Sequence, residues 1–207
     1  MVNSDLFHSV LEEFENQQEG FDFYYLSKKT VEKGNYIAGF LLFIATWNSN
    51  YFRFHKNSFN LDEFSNIIGD LNANFEILEK ESILSIDLGD HRVTISDIFT
   101  RLSHLKWIGA TGAAKIMHLK NPNLFIIWDS YIRGERKKSS FKSLEIFIIG
   151  ILEATIYSAD SRGYISFLSS IQNNFNGVGW NDSSKAFTKA IDEFNFMSIT
   201  KKLQSLK

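Results

Sequence analysis

The chain has 207 residues, 44% hydrophobic and 15% aromatic, with 20 Phe, 7 Tyr and 4 Trp, enough to bury a core in one domain or two small lobes. One proline, 12 glycines and 22% charged residues exclude a collagen-like, disordered or linker-rich protein. The absence of cysteine excludes disulfides, thiolate zinc sites, iron–sulfur clusters and a cysteine nucleophile, and fits a reducing compartment, while a formal net charge of −2 gives no global sign of a polyanion partner.

The N-terminal segment, MVNSDLFHSVLEEFENQQEG, is acidic and amphipathic, unlike a secretory signal, so a cytoplasmic location is expected. Within it Leu6, Val10, Leu11 and Phe14 share one helical face, with Ser4 or Asp5 as the cap. Asn35 can cap a strongly apolar helix running to about Asn50. Asn60 or Asp62 opens another, whose stripe is Phe64, Ile67, Ile68, Leu71 and Phe75. Residues 82–93 alternate in SILSIDL and turn at LGDHR, which fits a short strand or a loop. Thr94 to Asp97 then cap a helix carrying Ile98, Phe99 and Leu102. Further helices are expected over 143–157, 164–175 and 183–194, with a long loop at NNFNGVGWNDSS. The apolar runs 36–47 and 144–156 each fall short of the roughly 20 residues needed to cross a bilayer, so no membrane partner is expected.

The expected fold is therefore mostly α: nine or ten helices in a compact bundle of one or two lobes around a cleft. It reads as a single helical domain over 1–207, divisible into a lobe of 35–138 and a second of 1–34 plus 139–207.

One stretch stands apart, LKWIGATGAAKIMHLKNPNLFIIWDSYIR, residues 105–133. Gly109 and Gly112 let the backbone turn sharply before a helix expected to begin near Ala113. A tight turn into a helix N-terminus presents unpaired N–H groups suited to a phosphate oxygen. Asn121 and Pro122 stop that helix, an apolar run ends at Trp128, and Asp129 follows one helical turn before Arg133. The charge is concentrated here too. Residues 101–143 hold nine Lys/Arg and two acids, a net +7 that leaves −9 for the remainder. Such a local basic segment can face a phosphate backbone although the whole chain is near neutral.

Helix, Gly-turn, helix, then an apolar run ending in Asp ahead of Arg resembles the helix–hairpin–helix DNA glycosylase superfamily. Residues 98–120 would hold the hairpin, residues 128–133 (WDSYIR) the catalytic-aspartate segment, and FLLFIATWNSN the apolar helix whose polar end reaches DNA. The glycines are three apart, where family hairpins have them two apart, so the slot of the family's catalytic lysine falls on Ala113 or near Lys115. The missing cysteines imply a branch without an iron–sulfur cluster.

What the resemblance implies is base excision from lesion-bearing double-stranded DNA by a monomer, in the nucleoid if the source is prokaryotic. The base leaves the stack to be reached. Asp129 would assist hydrolysis of the N-glycosidic bond, stabilising the charge that develops on the sugar or orienting the attacking water or amine. Lys115 would supply a lyase amine if it holds the lysine slot, and with Ala113 there the lyase chemistry is absent. Gly109, Thr111, Gly112, Ala113, Asn48, Arg133, Arg136, Lys137 and Lys138 would contact the DNA, and Trp47, Trp107 and Trp128 would line the base pocket or wedge into the gap. No cofactor is implied beyond a monovalent cation on hairpin carbonyls.

Plainer readings stand beside these. Asp129 can be a helix cap, Lys115 a surface lysine, His118 a packed histidine, and Trp47 and Trp128 core residues. Arg133 can pair with Asp129 or Glu135, and the Asp192–Glu193 pair reads as solvated. The histidines take no HExxH spacing, and no metal ligand is expected. A scaffold that binds nucleic acid without cleaving it, and a helical protein-interaction module, remain as alternatives.

Overall fold

A computed structural model describes residues 1–17, 23–134 and 157–201. The expected helix over 143–157, the apolar run from Leu144, and the candidate DNA contacts Arg136, Lys137 and Lys138 lie outside the described residues. Within them the chain is mostly α, with ten α-helices and no strand.

Helix α1 (Ser4–Asn16) is capped by Asn3, one residue ahead of the expected caps, whose Oδ1 accepts the Leu6 N–H at 3.1 Å. Its buried face, Phe7, Leu11 and Phe14, follows the apolar spacing. α2 (Phe23–Glu32) packs along α3 (Tyr36–Trp47). Gly39 makes that approach possible, since a Cβ there would lie 2.5 Å from Val31 Cγ2. The expected single helix to Asn50 divides at Asn48, giving the short α4 (Ser49–His55). Asn60 caps α5 (Leu61–Asp70) by accepting the Glu63 N–H at 3.1 Å, and α6 (Asn72–Ile77) follows.

Of residues 82–93, 82–91 run through two turns with no strand, and the last two already belong to the next helix. Gln172 donates its side-chain amide to Ile83 O (2.8 Å) and Ile86 O (2.9 Å), satisfying backbone that a strand would otherwise pair. α7 (Arg92–His104) begins before the expected Thr94 cap, and α8 (Gly109–Lys120) packs back on it. α9 (Ser161–Phe175), capped by Asp160 on the Gly163 N–H, packs on α7, while α10 (Phe187–Asn195) packs on α1. α10 continues into a π-helical segment, Phe196–Lys201.

Two aromatic clusters form the centre. Trp107 is fully buried between Phe52, Phe59 and Phe64, with ring centroids 4.9 to 5.9 Å apart. Trp128, also fully buried, sits among Phe99, Tyr164 and Phe167. Neither indole can therefore serve as the expected pocket wall or wedge; packing against α7, α9 and the α4–α5 aromatics claimed both. No helix among the described residues is long and apolar enough to cross a membrane.

Candidate functional site

The Gly-turn is tighter than its sequence spacing implies. The N–H groups of Ile108 and Gly109 both reach Leu105 O, at 2.8 and 3.1 Å. Gly109 then takes φ +61 and is itself the first residue of α8, four positions ahead of the expected start at Ala113. Its missing side chain also admits Tyr51, whose ring atoms would lie 2.8 Å from a Cβ. Gly112 is a close-contact glycine inside the helix, where a Cβ would meet Ile108 at 2.8 Å and Ile44 at 3.1 Å.

This changes which amides are available. Gly112 N–H bonds to Ile108 O at 3.2 Å, and Ala113 is wholly buried inside the helix, so neither serves as the expected DNA contact. Ala110 and Thr111, in the first turn, have N–H groups with no backbone acceptor among the described residues. Ile108 O also accepts Asn48 Nδ2 at 3.2 Å, tying the end of α3 to the turn. Leu105 O and Ile108 O thus each carry two donors, which leaves neither a lone pair for the cation that the resemblance implies.

After α8 the chain turns at 122–124 and the run 124–128 is buried without regular secondary structure, and Tyr164 Oη donates to Ile126 O at 2.9 Å. Trp128 Nε1 donates to Ala110 O at 3.3 Å, which fixes where the next residue emerges beside the turn. Asp129 is half-buried there. Its Oδ1 accepts the N–H groups of Tyr131 and Ile132, both at 2.8 Å, and its Oδ2 accepts Thr200 Oγ1 at 3.0 Å. Residues 130–134 are turns, not the helix expected there, so Asp129 holds the amides of a turn while also lining the cleft. Arg133 is buried, donates Nη1 to Thr111 Oγ1 at 2.8 Å, and lies 5.3 Å from the Trp128 ring centre.

Lys115 is buried and donates to Trp47 O. Burial pulls its pKa down to about 8, against the opposing pull of Asp192 and Asp129. Of the two positions for the lysine slot, Lys115 lines the cleft and Ala113 does not. Facing it on α10 is a charge cluster that the sequence reading missed. Lys189 Nζ lies 3.1 Å from Asp192 Oδ2 and 3.1 Å from Glu193 Oε1, and Lys185 Nζ lies 2.9 Å from Glu193 Oε2. The Asp192–Glu193 pair, read as solvated, is buried. Its signal was present in KAIDE, where the i, i+3 and i, i+4 spacing puts both acids on the lysine's face. Burial acts to lower the Lys189 pKa, but the two carboxylates outweigh it and hold the ammonium above its ordinary value. Burial outweighs the pull of Lys189 on Asp192 and, with Glu193 nearby, pushes its carboxyl above the ordinary value.

These groups line one cleft of about 790 Å³. It brings together Trp47, Asn48, Gly109, Thr111, Lys115, Asp129 and Arg133 from the sequence reading, and adds Tyr51, Phe54, Lys189, Asp192 and Glu193. It excludes Trp107, Trp128, Gly112 and Ala113. Thr200 reaches Asp129 from the π-helical segment, a geometry often found at functional sites. No group of three or more His, Asp or Glu among the described residues could hold a metal ion. In comparisons with family models, curated proteins and solved structures, the chain matches none.

Proposed function

We propose that the chain is a DNA glycosylase of the helix–hairpin–helix type, acting on a damaged or mispaired base in duplex DNA. The observation that carries this reading is a buried lysine amine, Lys115, in the same cleft as Asp129 and the first turn of α8. An amine with a pKa near 8 is unprotonated in a larger share of molecules than a surface lysine at the same pH.

In the proposed reaction the Lys115 amine forms a bond to the sugar C1′ as the bond from C1′ to the base breaks. The base departs with the electron pair and takes up a proton from solvent. The new ammonium then loses a proton and the sugar ring opens to a Schiff base. Asp129 stabilises the positive charge that develops on the sugar, as carboxylates do in glycoside cleavage. The amides of Ala110 and Thr111, which have no backbone acceptor among the described residues, suit a phosphate oxygen.

Borohydride trapping on a duplex with a natural, aldehyde-bearing abasic site tests this reading. A covalent protein–DNA complex is expected, mapped to Lys115 by peptide mass and lost in Lys115→Gln. Asp129→Asn should slow it sharply while the protein stays folded. If the unmodified protein gives no adduct and releases no base from alkylated, deaminated and oxidised duplexes, the enzyme reading falls. The three donors already on the Asp129 carboxylate favour a second reading, binding without chemistry. Salt-sensitive duplex binding without base loss would then be the outcome.

A further inference from the structure

Of the two oxygens of Asp129, only one keeps a lone pair for chemistry. Oδ1 accepts the N–H groups of Tyr131 and Ile132, both at 2.8 Å, which takes both of its lone pairs. Oδ2 accepts Thr200 Oγ1 at 3.0 Å and no second donor among the described residues. Two bonds to one oxygen pin that atom but leave the carboxylate plane free to pivot about it. The torsion that turns an aspartate carboxylate is broad, so a bond to the second oxygen is what fixes the plane.

That bond comes from far along the chain. Thr200 stands 71 residues after Asp129, in the π-helical segment, and is 2% exposed. Lys189, Glu193 and Phe196 line the cleft, and Thr200, four residues after Phe196, continues their stripe. The segment is anchored on α1, where the Phe196 ring meets Phe14 edge to face with centroids 6.2 Å apart. A threonine in a helix commonly turns its hydroxyl back on the carbonyl three or four residues earlier. Thr30 and Thr46 do so, reaching Leu26 O at 2.8 Å and Leu42 O at 2.7 Å. Thr200 instead gives its one hydrogen to a carboxylate on another part of the chain.

We propose that Thr200 is a positioning residue for Asp129: its hydroxyl fixes the carboxylate plane and so sets where the remaining lone pair of Oδ2 meets the sugar C1′. This rests on the glycosylase reading of the same cleft, and Thr200 acts through Asp129 alone. When Lys115 condenses with the C1′ aldehyde of an abasic site, a C–N bond forms, water leaves and C1′ carries the positive charge of an iminium. A carboxylate stabilises that charge only from the place where it is held, and a misplacement of about 1 Å can slow a reaction about a hundredfold.

The test uses the full chain and two duplexes. One carries a natural abasic site, on which the single-turnover rate of borohydride trapping is measured at saturating duplex. The other carries a tetrahydrofuran analogue without an aldehyde and reports affinity alone. Thr200→Val keeps the shape of the side chain and removes the hydroxyl, and should slow trapping about tenfold with affinity unchanged. Thr200→Ser should restore the rate. In an Asp129→Asn background Thr200→Val should slow trapping no further, because the two residues act as one unit. Thr200→Ala makes the same comparison if the valine variant does not fold, and failure of both to fold would show the hydroxyl to be structural and overturn the inference. If Thr200→Val traps as fast as the wild type or faster, or loses affinity rather than rate, the inference is overturned while the glycosylase reading stands. An equal loss in the Asp129→Asn background overturns it too, because Thr200 would then act independently of Asp129. If the wild type forms no adduct, the glycosylase reading and the role of Thr200 fall together.

Discussion

The two walls of the cleft bury a lysine in opposite ways. On α8, Lys115 has only a backbone carbonyl as its direct acceptor, and burial brings its pKa down to about 8. On α10, Lys189 is equally enclosed but held between two carboxylates, and its pKa moves up. Burial alone therefore does not release a lysine proton. The number of carboxylates in direct contact decides it, because each adjacent negative charge offsets part of the desolvation cost. Under the proposed function the α10 wall would be scaffold and the α8 wall the reactive side.

Removing each amine should break that symmetry in opposite directions. Lys189→Met leaves Asp192 and Glu193 in a buried setting without their shared cation, and should destabilise the fold by about 3–5 kcal/mol in chemical denaturation. A loss below about 1 kcal/mol would show the acids to be neutral or solvated. Lys115→Met removes a buried ammonium that has no carboxylate in direct contact, and should stabilise by about 3 kcal/mol at pH 7 while abolishing borohydride trapping. The sign follows from linkage. Below pH 8 the buried amine is charged at full cost, and between pH 8 and its ordinary 10.5 the unfolded chain binds more protons than the folded one. Wild-type stability should rise with pH across that window, and Lys115→Met should lack this rise.

Sequence pattern reveals the walls unequally. The helices around the site follow 3.6-residue apolar spacing, and the Gly-turn, the apolar run to Trp128 and Asp129 all lie within 25 consecutive residues, so that half of the site was legible. The start of α8 was not, because a glycine that turns before a helix and one that is packed inside it look alike in sequence. Only the approach of Ile44 and Tyr51, about 60 residues upstream, separates Gly109 from Gly112. The α10 wall was read as solvated because KAIDE has the same pattern on a surface helix. What buries it is non-local: Phe14 and Tyr24 lie with their ring centres 5.7 and 5.2 Å from Lys189 Nζ. Trp107 and Phe54 make the same point, since residue type alone does not tell which aromatic faces water.

A third titratable group in the interior shows what neither wall does. His118 is fully buried, its Nδ1 donating to Phe125 O at 2.7 Å and its Nε2 accepting the Tyr24 hydroxyl at 3.0 Å. That tautomer uses both nitrogens and leaves no place for a second proton. Burial is the main cause that lowers its pKa to about 3, aided by the positive charges of Lys189 and Lys28 and opposed by the bond to Phe125. Unlike Lys115, it gains nothing from a rise in pH above neutrality. Its neutral form contributes stability that is present above pH 6.5 and lost as the pH falls toward 3, because the unfolded chain then takes up a proton the folded one refuses. Between pH 7 and pH 5 this amounts to about 2 kcal/mol. His118→Asn can keep a donor to Phe125 and an acceptor for Tyr24, so it should fold with lower stability at pH 7 but lose about 2 kcal/mol less on going to pH 5. Parallel pH profiles for the variant and the wild type would show instead that folded His118 takes up its proton as readily as the unfolded chain does, and that burial does not hold it neutral.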